Sequence, residues 1–299
     1  MAAAHFVLAL CLAPLLPGIA DWVTAIMAGR SRRPVFSRYR EWLALAEQGT
    51  AYPPETGPVS RAAPVLILAC MTAAMSLVPI GGQRPLLSFA GDFMLVVFFL
   101  VLARAIGFAA GSEGGPVYRV SNDWARPATM FTEPLLFFAL MPLGLLAGNF
   151  SLGGMFAPGP HLHWSSQWPV LLPLALAMLF LACHERAALP SGDCDAGSVT
   201  PEEQPSGGLD RALRDYGQAL KLWFLAALVS GFFPPRIDDP LAAFGAGVGG
   251  IFTALIAVGI CRGLLLRLGL GGKKLLPVCA LLIAAGAAAA VFRILNGAA

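Results

Sequence analysis

Long, nearly unbroken apolar runs alternate along the chain with shorter polar stretches, many of them basic. The runs are too long and too uniformly apolar for the surface helices or half-exposed strands of a water-soluble fold. A helix that crosses a bilayer needs about 20 predominantly apolar residues. Eight such runs occur, at 5–28, 62–81, 90–111, 130–150, 167–184, 219–235, 241–265 and 275–296, the sixth being the shortest. The pattern predicts an all-α membrane protein of about eight transmembrane helices, with 1–299 forming a single polytopic membrane domain. The first run has no basic residues ahead of it and several arginines after it, so it reads as a first spanning helix rather than a secretory signal.

Composition agrees with that pattern. With 57% hydrophobic and only 12% charged residues, and a mean hydropathy of +0.72, the chain is too apolar for a soluble domain. The basic residues add a direction. Loops 29–61, 112–129, 185–218 (taken with Lys221) and 262–274 hold sixteen of the twenty Lys and Arg residues, whereas the opposite flanks hold only Arg84, Arg236 and Arg293. Basic loops stay in the cytoplasm, which predicts both termini outside, in the periplasm of a bacterial inner membrane. The net charge of +3 is explained by these loops and implies a lipid surface, with no nucleic-acid partner. Six cysteines at 11, 70, 183, 194, 261 and 279 form no paired motif, so no iron–sulfur cluster and no metal is expected on this chain.

Two loops are long enough to have a role. Arg30, Arg32, Arg33, Arg38 and Arg40 precede Glu41-Trp42-Leu43-Ala44-Leu45-Ala46-Glu47, a segment suited to a short helix on the membrane face. The loop is either a lipid-facing basic surface or a docking surface for a partner protein. Glu185 to Gln218 carries Asp193, Asp195, Glu202, Glu203, Asp210 and Asp215, and either turns towards protein or serves as a flexible linker. His161 and His163 have HxH spacing, but no third ligand lies nearby.

A charge within a span costs roughly 2.5–3.5 kcal/mol on insertion scales, so the few present are candidates for function. They are Asp21, Arg104, Glu133 and Glu185, with Asp92 and Arg293 close enough to span ends to be interfacial. Arg104 lies mid-span and calls for a carboxylate on another helix, Glu133 first; the alternative is snorkelling to the interface. Glu133 is either a carboxylate held by a helix start or a buried proton acceptor. Glu185 is either an interfacial charge or, with His184, a proton relay lining a cavity. Asp21 is placed to neutralise Arg30 or its neighbours.

Taken in order, several segments resemble the membrane subunit shared by complex I, where its cytoplasmic loops form much of the quinone cavity, and by formate hydrogenlyase-type membrane-bound hydrogenases. They are Ala13-Pro14-Leu15-Leu16-Pro17-Gly18, then Arg32-Arg33-Pro34 with Tyr39-Arg40, Gly91-Asp92, Leu102-Ala103-Arg104, Thr132-Glu133-Pro134-Leu135-Leu136, and Glu185-Arg186-Ala187-Ala188-Leu189-Pro190. Lys221 sits where that family begins its sixth helix. The resemblance runs to about residue 235. The Leu-Pro-Phe-Asp of complex I is here Leu189-Pro190-Ser191-Gly192, with Asp193 one place late, which tilts the likeness towards the hydrogenase branch.

The resemblance implies a subunit of an oxidoreductase that links a peripheral iron–sulfur redox arm to proton translocation and binds no cofactor itself. Iron–sulfur clusters, and nickel–iron in a hydrogenase, would sit in partner subunits, and a quinone site is left open. The implied partners are peripheral hydrophilic redox subunits and antiporter-like membrane subunits. Glu133, Glu185, Arg104 and Asp193 would form the proton-handling cavity, while Arg32, Arg33, Arg38, Tyr39 and Arg40 would dock the arm. A structural anchor without proton or quinone chemistry, the quinone-site subunit of an NADH dehydrogenase, and an independent transporter are the competing readings.

Overall fold

In hydrocarbon every backbone amide must find its partner within the segment, so apolar runs of this length become helices. The computed structural model describes residues 1–30, 34–49, 57–113, 131–188, 208–235, 237, 239–268 and 275–296, with no side chains described at 112–113, 160 and 186–188. The loop residues Arg32, Arg33, Arg119, Arg126, Asp193, Cys194, Asp195, Glu202 and Glu203 lie outside the described residues.

Among the described residues the regular structure is helical. We number the α-helices α1 (Ala2–Leu12), α2 (Leu16–Ala28), α3 (Ser37–Glu47), α4 (Pro58–Met75), α5 (Asp92–Glu113), α6 (Thr132–Ala147), α7 (Leu152–Met155), α8 (Trp164–Ala188), α9 (Gly208–Gly231), α10 (Pro240–Arg267) and α11 (Leu275–Leu295). The first expected span is two helices, α1 and α2, joined by a 3-10 turn at Ala13–Leu15. Pro14 and Pro17 explain the break, since neither can donate the amide that a continuous helix requires. Among the described residues, six stretches are long and apolar enough to cross a membrane: Ala2–Ala28, α4, Asp92–Gly111, Trp164–Glu185, α10 and α11; α6 is apolar but shorter. The segment 41–47 is helical, as expected, within α3.

The weakest expected span turns out to be the central helix. α9 starts eleven residues before the predicted 219, and every residue from Ala219 to Val229 is buried. A helix buried all round can be apolar all round, yet its first half carries Asp210, Arg211, Arg214 and Asp215, which lower its hydropathy below that of a simple span. Around α9 pack α3, α4, α8 and α10, with the α1–α2 turn against it, and further pairs are α4 with α5, α2 with α10 and α8 with α11. One continuous apolar core runs through these helices apart from α3.

α3, the starts of α4 and α9 and the end of α5 gather at one end of the bundle. A Cβ on Gly208 would collide with Gln48 and the Leu45 carbonyl, and the Ser60 hydroxyl donates to the Ala110 carbonyl. At the other end the Leu152 amide donates to Asp92 at 2.6 Å, and Gly81 abuts Ala243 and Gly247. α2 and α10 approach closely through Gly259 and Gly263, a small-xxx-small pair of the kind that lets membrane helices touch backbone to backbone. A Cβ on Gly259 would lie 2.7 Å from that of Val23. The Thr24 hydroxyl donates across the contact to the Gly259 carbonyl at 3.2 Å. Gly259→Leu is therefore expected to lower the thermal stability of the purified protein by about 1–3 kcal/mol, while Gly249→Ala, where nothing lies within 4 Å, leaves the melting curve unmoved.

Candidate functional site

Four ionisable side chains from four helices meet inside the bundle. Arg104 projects from the middle of α5, and Glu133 is the second residue of α6. Glu185 lies three residues before the end of α8, and Lys221 is in the buried run of α9. Glu133 is 2% exposed, Lys221 4% and Arg104 7%. The Glu185 side chain is 14% exposed.

The four close into a ring. Arg104 Nη2 donates to Glu133 Oε1 at 2.9 Å and to Glu185 Oε1 at 3.0 Å. Lys221 Nζ makes the same two contacts, at 2.6 Å to Glu133 Oε1 and 2.9 Å to Glu185 Oε1. Arg104 Nε adds a further bond to Glu133 Oε1 at 3.2 Å, and the Thr132 side chain hydrogen-bonds Glu185. Glu133 Oε2 is buried and has no hydrogen-bond partner among the described residues. Two cations and two carboxylates leave the ring neutral when all are ionised.

That neutrality is what permits burial, because an ion taken from water costs several kcal/mol and is held only by close opposite charge and full hydrogen bonding. The position of Glu133 helps, since a carboxylate in the first turn of α6 meets the positive helix end. Each cation is shared between the two carboxylates.

The expected Arg104–Glu133 pair is present, and Glu185 joins it. Lys221, which its flanking sequence places at a loop edge, is a ring member instead. The signal lies in spacing, because Asp210, Arg214 and Lys221 recur on one face of a helix, and all three are buried. His184 is buried beside Glu185. Asp193 falls outside the described residues.

A second cluster is half-exposed. Asp21 of α2 pairs with Arg38 of α3 at 3.2 Å and with Arg262 of α10 at 3.3 Å. Arg38, which also meets Glu41 at 3.5 Å, thus fastens α3 to the bundle. Tyr39 packs its ring near that of Trp42, whose indole donates to the Ala212 carbonyl of α9 at 2.9 Å. Arg40 is exposed. Burial of Arg214, Lys221 and Arg262 removes three residues from the basic loops on which the predicted topology leaned.

Asp92, the first residue of α5, is buried against the protein, and its Oδ1 accepts the Leu152 amide at 2.6 Å. His161 Nε2 meets the Met155 carbonyl at 3.0 Å, and His163 Nδ1 meets the Ser165 hydroxyl at 2.7 Å. The two histidines thus serve their own loop, and no group of three metal-ligating side chains is found among the described residues. A buried contact that the sequence does not suggest joins α1 to α9, where the Trp223 indole donates to His5 Nε2 at 3.1 Å.

Comparison with known proteins gives the geometry a context. No protein-family model matches the chain. It is 26% identical over 240 residues to hydrogenase-4 component C of Escherichia coli (strain K12), covering 78% of this chain and 75% of that protein. It is 25% identical over 250 residues to formate hydrogenlyase subunit 4 of the same organism, covering 82% and 79%. Among solved structures, the fold matches a chain of the membrane-bound sulfane sulfur reductase, an archaeal respiratory membrane complex, with a TM-score of 0.74, 18% identity, and coverage of 97% and 98%. The expected likeness to the hydrogenase branch is thus found in sequence, in the similarity to hydrogenase-4 component C and formate hydrogenlyase subunit 4.

Proposed function

We propose that this chain is a membrane subunit of a complex I-related respiratory complex of the hydrogenase or formate hydrogenlyase type, and that its buried ring of charges takes part in linking a peripheral redox arm to proton movement. The carrying observation is the ring itself, in which Glu133 and Glu185 share Arg104 and Lys221 at 2.6–3.0 Å inside an apolar bundle. Iron–sulfur clusters, and nickel–iron if the arm is a hydrogenase, would belong to partner subunits. The chain would supply neither nucleophile nor redox centre. It would contribute a set of charges whose arrangement changes when a proton or a nearby electron is added.

The predicted membrane placement gives this reading a geometry. With α1 and α2 forming one span, eight helical passes would return both termini to the same side. The end that carries α3 would then face the cytoplasm of a bacterial cell and receive the arm. Antiporter-like membrane subunits would be lateral neighbours in the bilayer, and the quinone question stays with the docked arm and the loop after α8. Arg40, being exposed, is the described arginine best suited to meet the arm. Arg32 and Arg33 share that role by sequence, and Arg38 and Tyr39 support it by fixing α3.

A second reading is favoured by one feature: a closed, neutral ring can serve as a structural staple in an anchor that moves no protons. The two readings separate on charge-balanced variants. Glu133→Gln alone leaves two cations on one carboxylate and is expected to cost about 3–5 kcal/mol of stability. Glu133→Gln combined with Lys221→Met restores neutrality and should recover much of that loss, seen as yield and melting temperature. If the ring handles protons, turnover of the assembled complex in sealed vesicles stays at least about tenfold down in the double variant. Turnover and proton movement at the unsubstituted level would leave only the staple. For docking, Arg40→Glu is expected to reduce co-purification of the soluble arm with the membrane subunits while leaving the fold intact. Arg38→Glu, by repelling Asp21 and Glu41, is expected to lower the melting temperature of this chain itself.

A further inference from the structure

The described cysteines are free thiols, and two of them are in contact. Cys183, wholly buried near the end of α8, and Cys261 of α10 hydrogen-bond to each other through their sulfurs. A second contact fixes the same level of the two helices. Cys183 Sγ donates to the Val258 carbonyl at 3.6 Å, and Val258 lies about one turn before Cys261 on α10. Cys279 of α11 is engaged at another level, where its thiol donates to the Ala177 carbonyl of α8 at 3.8 Å. Ala177 is about 9 Å along the helix from Cys183.

Either cysteine alone reads as a small apolar packing residue. The pair has two properties that packing does not require. Cys261 is half-buried, at the edge of a face of α10 on which Ile260 and Leu264 are exposed. One sulfur is therefore reached from the lipid-facing side of the helix, while the other is sealed behind it. In addition, Arg262 places a cation within electrostatic range of the Cys183 sulfur, and sulfur is a better nucleophile beside positive charge. An accessible thiol backed by a second one is the arrangement in which oxidation of the first is captured by the second as a disulfide.

We infer that Cys183 and Cys261 form a dithiol that an uncharged peroxide oxidises to a disulfide joining α8 to α10. The Cys261 sulfur attacks one peroxide oxygen and the O–O bond breaks. The thiol proton goes to the departing oxygen, released as water or an alcohol, and Cys261 becomes a sulfenic acid. The Cys183 sulfur then attacks the sulfenic sulfur, the S–O bond breaks, the Cys183 proton leaves with the hydroxyl as water, and the S–S bond forms. The thiols lose two electrons and two protons, and the peroxide takes them up. Hydrogen peroxide from the water and an acyl hydroperoxide from the bilayer share this chemistry. Residues 183 and 185 face nearly opposite ways on α8, so the disulfide fastens the helix from behind where Glu185 enters the ring. A helix end held in this way would slow turnover of the complex. That regulatory consequence rests on the function proposed above; the disulfide site does not.

The test treats the assembled complex in membrane vesicles with hydrogen peroxide or, separately, with cumene hydroperoxide. Remaining thiols are blocked with N-ethylmaleimide, and the digested chain is read by mass spectrometry. The expected product is a peptide carrying Cys183 linked to one carrying Cys261, two hydrogens lighter than its parts and released by dithiothreitol. Its formation with hydrogen peroxide assigns the source to the water, and its formation with cumene hydroperoxide alone assigns it to the acyl chains. In Cys183→Ser the linked peptide is lost and dimedone traps Cys261 as the sulfenic acid. No linked peptide with either peroxide while the exposed Cys11 is oxidised, or a linkage to Cys279 in its place, overturns the inference. Turnover is read in parallel. A severalfold fall that dithiothreitol reverses, absent in Cys261→Ser, is expected, and linkage at unchanged turnover overturns the regulatory consequence alone. The mass readout needs no turnover, so silent carboxylate variants would sink the proton-handling function and leave the disulfide site standing.

Discussion

Burying charge in a lipid-embedded bundle is the constraint on which this structure turns. Each ion brought out of water costs several kcal/mol, and the cost is met only when opposite charges come within hydrogen-bonding distance with their remaining polar atoms satisfied. Arg104, Glu133, Glu185 and Lys221 meet the charge part of that condition together, because two carboxylate oxygens and two cationic nitrogens form a closed circuit, while Glu133 Oε2 has no hydrogen-bond partner among the described residues. No pair taken from the four would do so equally well. With only Arg104 and Glu133, the Lys221 ammonium would remain buried without a counter-ion. Helices α5, α6, α8 and α9 are therefore held in register at one level by electrostatics as well as by the apolar core.

That requirement also explains why α9 occupies the centre. A helix carrying a buried lysine has to be surrounded by others that bring carboxylates, and its remaining faces have to be apolar in every direction. The run from Ala219 to Val229 satisfies the second condition. α6 and α8 satisfy the first near their ends, where Glu133 is two residues into one helix and Glu185 three residues from the end of the other. α5 and α9 extend past the ring on the α3 side, and there their buried faces carry charge and glycine rather than bulk.

Much of this is legible in the sequence, and the reasons for success and failure are physical. A charge inside a strongly apolar run stands out, which is why Arg104, Glu133 and Glu185 can be picked out and the Arg104–Glu133 pair expected. Lys221 does not stand out, because the residues before it are polar and the apolar run after it is short, so hydropathy assigns it to a loop edge. The informative signal there is periodicity rather than mean hydropathy. Arg38 shows what the sequence leaves out. A basic loop reads as a surface for partners, and only the fold brings Asp21 of α2 within 3.2 Å of it. Asp92 is legible as a helix start, but nothing in the order of residues hints that the segment around Leu152 folds over it.

A ring that merely stapled helices together would be improved by simplification. Replacing a buried ion pair by well-packed apolar residues is often neutral or stabilising, and a bundle whose core already contains Trp223, Phe224 and Leu220 could accommodate such residues. The ring instead keeps two carboxylates on the same two cations, which makes its arrangement sensitive to one added proton. It also lies where a charged face of α9 ends and an apolar one begins. A staple does not need each cation shared between both carboxylates, whereas a relay does, and that sharing is the strongest physical reason to prefer the relay.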